Sequence, residues 1–171
     1  MVEVTGDGEE GDGDDTLIAG RYRLLARIGK GASGSVYRAR DPALDRTVAI
    51  KLLQPGDLEA AEQEAKVLAR IEHPNVVRVL EHGQCSGRRY LVLEYLQGRD
   101  FHEWLQEGPS VAEIVAKFAA AARGLGAAHE QGLIHRDVKP GNLILEENGR
   151  VVVIDFGFAA PIAPREHDRV E

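Results

Sequence analysis

Alternating apolar and polar residues predict a β-strand near the start of the chain. Tyr22, Leu24, Ala26 and Ile28 would point to one side and Arg21, Arg23, Leu25 and Arg27 to the other, as in a strand with one buried face. Further short runs of the same character predict four more strands, at Val36–Ala39, Thr47–Leu53, Val76–Glu81 and Arg89–Tyr95. The first half of the chain is therefore expected to be rich in strands.

A different spacing predicts one helix among these strands and several in the second half. Leu58, Ala61, Ala65 and Leu68 recur every three or four residues, so 58–71 is expected to be an amphipathic helix. Gly98 is interpreted as a hinge, and residues 101–105 as a short helix. Ser110 and Glu113 form a capping box ahead of a long helix, whose buried face is predicted to contain Val111, Ile114, Val115, Phe118, Ala122 and Leu125. This order of elements is an α+β fold.

Composition changes the picture only at the amino terminus. The chain has 171 residues and a net charge of -7, and seven acidic residues with no Lys or Arg lie in residues 1–16. We expect this segment to be a disordered tail, either a solvating leader or an interaction tail. The remaining charges balance, which argues against a nucleic-acid or anionic-membrane partner.

The single cysteine, Cys85, excludes an internal disulfide and favours a reducing compartment. No apolar run reaches the ~20 residues of a membrane span, and the acidic start lacks the basic region of a secretory signal. A cytoplasmic location is expected. The histidines other than His135 show no metal-ligand spacing with Cys85 or with each other.

The residues with the clearest chemistry lie at 135–142, His-Arg-Asp-Val-Lys-Pro-Gly-Asn, and at Asp155, 18 positions after Asp137. This short stretch contains a carboxylate, a lysine and an asparagine, and the second carboxylate follows an apolar strand at 151–154. The combination predicts a site that orients a hydroxyl and holds magnesium beside a triphosphate. The reaction predicted is phosphoryl transfer.

Gly29, Gly31 and Gly34 lie between two predicted strands, where glycines let backbone amides approach phosphate oxygens. A dinucleotide-binding fingerprint would have a helix directly after the glycines, and the strand at 36–39 excludes it. The spacing by itself fits a flexible hairpin about equally well.

Lys51 interrupts an apolar strand, so its ammonium either reaches the surface or is held for a charged ligand or partner. Glu64, at the edge of the apolar face of helix 58–71, is the candidate partner. The alternative is that Glu64 is an exposed helix residue. Without the glycine motif, pairing with Lys51 and exposure to solvent would be equally good interpretations.

Taken together, these motifs resemble those of the eukaryotic-type serine/threonine protein kinase family, from about Tyr22 to about Pro161. The sequence around Asp137 is similar to that of the bacterial members. The resemblance implies a kinase-like fold of two lobes and magnesium and ATP as cofactors. It implies that Asp137 orients the hydroxyl of a Ser or Thr in a protein substrate. Lys139 would contact the γ-phosphate, and Asn142 and Asp155 would hold magnesium.

The resemblance also implies a nucleotide site in the cleft between the two halves. Lys51 would bind the α- and β-phosphates and pair with Glu64, while the backbone of Glu94 and Leu96 would take the adenine edge and Asp100 the ribose. The remaining nucleotide-contacting positions implied are Ile28, Gly29, Gly31, Gly34, Val36, Ala49 and Ile144.

The same resemblance predicts a tail at 1–16, a small lobe with hinge at 17–96 and part of a large lobe at 97–171. Only 14 residues follow Gly157, none of them Ser, Thr or Tyr, so the end of the activation segment and the later helices are expected to be missing. Two hypotheses remain: a truncated kinase of low activity by itself, with helix 111–130 and strand 151–154 partly uncovered, or a catalytically dead nucleotide-binding or regulatory module.

Overall fold

The computed structural model describes residues 16–54 and 65–156, and the backbone of 160–161. Contacts divide these residues into two compact units. The first contains 16–54 and 78–95, and the second contains 65–77, 96–156 and 160–161. The expected small lobe covered 17–96 without interruption, whereas residues 65–77 group with the second unit.

The first unit is a single antiparallel sheet of six strands. In chain order these are β1 (Leu17–Ile18), β2 (Tyr22–Gly31), β3 (Gly34–Asp41), β4 (Arg46–Leu53), β5 (Val79–Cys85) and β6 (Arg88–Glu94). Their order across the sheet is β1-β2-β3-β4-β6-β5. The five strands predicted in this half are present, and β1 adds a short sixth strand at one edge.

One face of this sheet carries the core of the first unit. Side chains on a strand alternate between faces, and the buried cluster on this face consists of Ile18, Tyr22, Ala39, Val48, Ile50, Tyr90 and Val92. The predicted alternation along β2 is confirmed at Tyr22 and Leu24 but is wrong further on, where Ala26 is exposed and Ile28 is 51% exposed. Register shifts between Leu24 and Ala26 and between Arg27 and Gly29 explain this, because a bulge breaks the alternation.

A buried carboxylate is neutralised at the rim of this core. Asp41 has no exposed side-chain surface and accepts hydrogen bonds from Arg21 Nη2 at 2.7 Å and from Arg46 Nε at 3.2 Å. The Arg21 hydrogen bond, opposed by burial, holds the pKa of Asp41 below its ordinary value. The Arg21–Asp41 ion pair therefore contributes to stability above pH 3.8. That contribution is lost as the pH falls through the pKa of Asp41 in the folded state.

The strand predicted at Val76–Glu81 begins later than expected, at Val79. Residues 76 and 77 pair with β-structure within the second unit instead: Val76 forms a parallel bridge with Val153, and the Val77 amide donates to the Val153 carbonyl at 3.0 Å. An apolar run alone does not show whether residues 76 and 77 belong to strand β5 or pair with Val153.

The second unit is built on two helices and two small sheets. After helical residues 65–68 come β7 (Gly98–Asp100), α1 (Phe101–Gln106), α2 (Val111–Glu130), β8 (Leu133–Ile134), a 3-10 turn (Pro140–Asn142), β9 (Leu143–Glu146), β10 (Val151–Val153) and β11 (Ala160–Pro161). The sheets are β10-β9-β7 and β11-β8. Gly98 is not a free hinge, because it is paired in β7 and a Cβ there would overlap the Leu145 carbonyl.

The capping box predicted at the start of α2 is confirmed. The Ser110 hydroxyl accepts from the Glu113 amide, and the Glu113 carboxylate accepts from the Ser110 amide at 2.8 Å. These two bonds satisfy donors that every helix leaves free at its amino end.

The predicted buried face of α2 is wrong for most of its members. The buried residues are Ala120, Ala121, Gly124 and Ala128, whereas Val111 is 77% exposed and Val115 and Ala122 are exposed too. Phe118 is 38% exposed and makes an edge-to-face contact with Phe101. Small residues define the contact because α2 packs closely against the backbone at Asn75.

Strand β10 is fully covered, contrary to the expectation that strand 151–154 would lose its cover. Val151, Val152 and Val153 have exposed fractions of 1% or less. β9 pairs with β10 on one edge, and residues 75–77 pair with Val153. No helix in the described part of the chain is both long and apolar enough to cross a membrane.

Two glycines of α2 offer a matched test of this packing. A Cβ at Gly124 would overlap the Asn75 carbonyl oxygen, while a Cβ at Gly126 would meet no atom within 4 Å. We expect Gly124→Ala to lower the free energy of unfolding by about 1–3 kcal/mol through overpacking. Gly126→Ala should raise it by up to about 1 kcal/mol through helix propensity. Urea unfolding of both variants measures the difference, and equal effects would contradict the packing described.

Candidate active site

The candidate catalytic residues lie on the loop between β8 and β9. The loop passes through an extended Lys139, which Pro140 favours in the residue before it, and closes in the 3-10 turn at Pro140–Asn142. The Asn142 amide donates to the Lys139 carbonyl at 2.9 Å. The turn therefore brings residue 142 back toward residue 137.

The structure joins three of the predicted site residues directly. Oδ2 of Asp137 accepts hydrogen bonds from Lys139 Nζ at 2.7 Å and from Asn142 Nδ2 at 3.0 Å. Asn142 Nδ2 also donates to the main-chain carbonyl of Asp137 at 2.8 Å. Both the backbone and the carboxylate of Asp137 are therefore held by neighbours in its own loop.

These neighbours favour the charged form of Asp137. The Lys139 hydrogen bond is the largest influence and the Asn142 hydrogen bond the next favourable one, and together they hold the pKa of Asp137 below its ordinary value against burial and the negative charge of Asp155. The influence of Asp155 also means that the two predicted carboxylates act on each other. Asp137 is accordingly an ionised hydrogen-bond acceptor at neutral pH.

Asn142 links the loop to the segment that carries Asp155. It is buried, and its carbonyl accepts a hydrogen bond from the Ile154 amide at 2.9 Å. Its side-chain nitrogen is committed to Asp137, so its side-chain oxygen is the atom that it can offer to a metal ion.

His135 is a positioning residue to which the sequence assigned no role. It is 1% exposed; its Nδ1 accepts from the Asp137 amide at 3.2 Å, so Nε2 carries the proton donated to the Ile154 carbonyl at 2.8 Å. Its ring lies 4.6 Å from that of Phe156. The available signal was a histidine that starts a cluster of polar residues between two apolar strands.

Two residues of the site adopt left-handed backbone conformations. Arg136 has a φ of 65° and Asp155 a φ of 59°. Such conformations are uncommon for residues other than glycine, are more accessible to Asp than to Arg, and concentrate at functional sites. Arg136 and Asp155 directly precede Asp137 and Phe156, whose positions depend on these turns.

Two of the residues expected near the ribose and adenine are neighbours in the small sheet of the second unit. Asp100 at the end of β7 pairs with Ile144 on β9. Asp100 also caps α1, because its Oδ1 accepts from the Glu103 amide at 2.9 Å. Leu96 lies two residues before β7 and is half-buried.

In the first unit, the predicted phosphate-binding residues share one face of the sheet. Gly29, Val36, Lys51 and Leu91 are successive cross-strand partners on β2, β3, β4 and β6. Because Val48 and Ile50 point into the core, Lys51 and Ala49 point to the opposite face. Lys51 is buried there, with 5% of its surface exposed.

The glycines form the end of a hairpin, with Gly31 paired to Gly34 and two residues between them. Only Gly34 is required by the packing, since its φ is 144° and a Cβ would overlap the Leu52 carbonyl. A Cβ at Gly29 would make ordinary contacts with Val36, and one at Gly31 would meet nothing.

At the end of β6, the Glu94 amide donates to the Arg78 carbonyl at 3.0 Å. An adenine contact from the Glu94 backbone would therefore use its carbonyl. Glu64 and Gly157 lie outside the described residues, so the Lys51–Glu64 pair stays a prediction. The described part of the chain contains no group of three or more His, Cys, Asp or Glu side chains arranged to hold a metal ion.

Comparison with known proteins identifies the family of the chain. The profile of the family described as "Protein kinase domain" matches residues 22–170. The chain belongs to this family. It is 40% identical over 154 residues to the DNA damage-responsive serine/threonine-protein kinase RqkA of Deinococcus radiodurans, and 35% identical over 161 residues to the serine/threonine-protein kinase pkn2 of Myxococcus xanthus. The predicted resemblance to bacterial serine/threonine kinases is confirmed.

A solved structure shares the fold. The crystal structure of the Mycobacterium tuberculosis PknI kinase domain matches with a TM-score of 0.72 and 32% identity, over 85% of this chain and 63% of that one. The predicted kinase-like fold is confirmed. The chain spans 19% of the length of pkn2 and 23% of that of RqkA, although 88% and 85% of its own length is aligned.

The contacts of Asp137 generate a graded prediction. Lys139→Met should raise the pKa of Asp137 toward its ordinary value, because the largest influence that lowers it is removed. Asn142→Ala should raise it by less. Carboxyl-carbon NMR titration measures both, with Lys117→Met as a control lysine that contacts the Gly149 carbonyl instead. An unchanged pKa in the Lys139 variant would show that the ion pair is absent in solution.

Proposed function

We propose that this chain binds magnesium-ATP and that its loop residues serve transfer of the γ-phosphoryl group to a Ser or Thr hydroxyl of a protein. The observation that carries the proposal is the Asp137–Lys139–Asn142 cluster, in which one ionised carboxylate is held by a lysine and an amide. Phosphoryl transfer asks little covalent chemistry of a protein and depends on positioning and on charge neutralisation.

Asp137 is proposed to accept the hydrogen bond of the substrate hydroxyl and to orient its oxygen toward phosphorus. A carboxylate with a lowered pKa is a weak base, so its contribution is orientation and acceptance of the proton late in the transfer. Lys139 is within 2.7 Å of the same carboxylate. In the proposal it exchanges that contact for the γ-phosphate oxygens as negative charge gathers on them.

The donor set fits magnesium. Asn142 offers a side-chain oxygen, and Asp155 offers a carboxylate in electrostatic range of Asp137. Magnesium prefers oxygen ligands and is usually bound through one or two carboxylates together with substrate phosphates and water, which does not require a larger protein cluster. The ion, when bound, would neutralise charge on the phosphate oxygens.

The glycine hairpin and Lys51 are proposed to hold the ATP phosphates. Packing within the sheet explains Gly34 but leaves Gly29 and Gly31 without a structural requirement. Close approach of the backbone to a ligand would supply one. Lys51, buried on the face that also carries Val36 and Ala49, would bind the α- and β-phosphates, with these two apolar residues and Ile28 against the adenine.

Nucleotide binding is tested with Lys51→Met and Asp155→Ala. Both should weaken binding of a fluorescent ATP analogue in the presence of magnesium, because each removes a charge opposite the phosphates or the ion. Without magnesium, the Asp155 variant should bind as well as the wild type, while the Lys51 variant should still bind less. Lys117→Met serves as the matched control, and wild-type affinity in both site variants would refute the assignment.

Transfer is tested with labelled ATP, magnesium and a generic serine/threonine protein substrate. We expect weak turnover by the 171-residue chain, since it spans 63% of the crystallised PknI kinase domain. Asp137→Asn should lower the remaining rate by about 100-fold or more without weakening ATP binding.

This experiment distinguishes the two hypotheses drawn from the sequence, a truncated kinase of low activity and a catalytically dead module. Turnover that disappears in the Asp137 variant supports a kinase, and robust turnover would show that the expectation of low activity is wrong. Binding of magnesium-ATP with no turnover would favour a catalytically dead nucleotide-binding module.

A further inference from the structure

One edge of strand β10 is covered by a segment that is not a strand of its sheet. β9 pairs with one edge of β10, and residues 75–77 lie along the other. On that second edge, the Val153 amide donates to the Asn75 carbonyl at 2.9 Å, and the Val153 carbonyl accepts from the Val77 amide at 3.0 Å. These two hydrogen bonds have the pattern of a short parallel ladder.

The next hydrogen bond of this ladder is made by a side chain. If the parallel pattern continued, the Asn75 amide would donate to the Val151 carbonyl. The Asn75 amide instead donates to Nδ1 of His73 at 3.0 Å, and Asn75 Nδ2 donates to the Val151 carbonyl at 2.6 Å. The Asn75 side chain therefore replaces its own main-chain amide at the point where the chain turns away from β10.

Burial makes this side-chain hydrogen bond important for β10. Asn75 is 8% exposed and Val151 is 1% exposed. A buried carbonyl that loses its donor keeps the full penalty of its removal from water. Replacing the Asn75 donor would therefore destabilise the pairing of β10 at its first residue.

The turn that carries Asn75 is held independently of the Asn75 side chain. The Val76 amide donates to the His73 carbonyl at 3.1 Å and closes the turn, and Arg150 Nε donates to the Pro74 carbonyl at 2.6 Å. The backbone at Asn75 also packs closely against Gly124 of α2. The Asn75 side chain thus attaches β10 to a turn that is already fixed.

Strand β10 leads directly into the candidate site. Ile154 follows the strand, and its amide donates to the Asn142 carbonyl at 2.9 Å while its carbonyl accepts from His135 at 2.8 Å. Asp155 comes next, with a φ of 59°. A shift of β10 along residues 75–77 would therefore disturb the Ile154 hydrogen bonds and move the carboxylate of Asp155.

We propose that Asn75 is a positioning residue for Asp155. Its side-chain amide holds the first residue of β10 on the edge that β9 does not cover, and so helps to set the separation of Asp155 from Asp137 and Asn142. Asn75 itself contacts neither nucleotide nor ion in this proposal. The inference rests on the proposed magnesium site, because Asn75 acts there through one of the proposed metal ligands.

The first test measures amide hydrogen exchange in the full 171-residue chain, without nucleotide or metal. Asn75→Leu keeps the branched shape of the side chain and removes its donor, whereas Asn75→Ala removes both. In each variant we expect the Val153 and Ile154 amides to exchange about 10-fold faster than in the wild type, after correction for the change in global stability.

Ser110→Ala is the matched control for a general loss of stability. Ser110 lies in the same unit as β10 and caps α2, where its hydrogen bonds are made with Glu113. Loss of a helix cap lowers stability by an amount similar to loss of a hydrogen bond. After the same correction, the Ile154 amide of this variant should be as protected as in the wild type.

The second test separates nucleotide binding from magnesium binding. A fluorescent ATP analogue is titrated at increasing magnesium concentrations. Without magnesium, both Asn75 variants should bind the analogue as well as the wild type does. They should need about 10-fold more magnesium for the same gain in affinity, as for other residues that orient a metal ligand. Ser110→Ala should match the wild type in both measurements.

Two results would overturn the proposal. Wild-type protection of Ile154 in Asn75→Leu would mean that the shape of this side chain, and not its hydrogen bond, holds β10. Faster exchange with an unchanged magnesium requirement would mean that Asp155 keeps its position without Asn75.

Failure of the proposed function gives a different result. A wild-type chain that binds the analogue equally well with and without magnesium would refute the magnesium site itself. The exchange measurement would then still decide whether Asn75 fixes the residue before Asp155, with faster exchange at Ile154 supporting this role and unchanged exchange overturning it.

Discussion

The candidate site depends on the way Ile154 is held from both sides. Its carbonyl accepts the proton on His135 Nε2, and its amide donates to the carbonyl of Asn142. These two hydrogen bonds attach both ends of the loop 135–142 to the residue directly before Asp155. The two carboxylates of the site, Asp137 and Asp155, therefore keep a defined separation although 18 residues of sequence lie between them.

Two carboxylates of the described residues are neutralised by neighbouring donors. Asp137 is ionised because Lys139 and Asn142 donate to it, and Asp41 is ionised because Arg21 and Arg46 do. The two cases differ in use. The arginines around Asp41 complete the rim of a core, whereas Lys139 is 56% exposed at its side chain and can move from a carboxylate to an incoming phosphate.

The strands of the first unit also serve two purposes through their two faces. One face packs Val48 and Ile50 into the core, and the other presents Lys51 with Val36. A slip of one residue in register would exchange the two faces. The same alternation places Arg23 opposite Arg40 near the other end of the strands.

The sequence by itself determined the family and the loop that carries the candidate site. The spacing of Asp137, Lys139 and Asn142 sets a turn in which local hydrogen bonds form, and alternation predicts strands because side chains on a strand point to opposite faces. Only the tertiary structure decided how the apolar face of α2 is used, where Val115 is exposed and Gly124 buried. Periodicity alone does not show which face of a helix is buried, because that depends on packing partners that are distant in sequence. The role of His135 likewise depends on a distant partner, the carbonyl of Ile154.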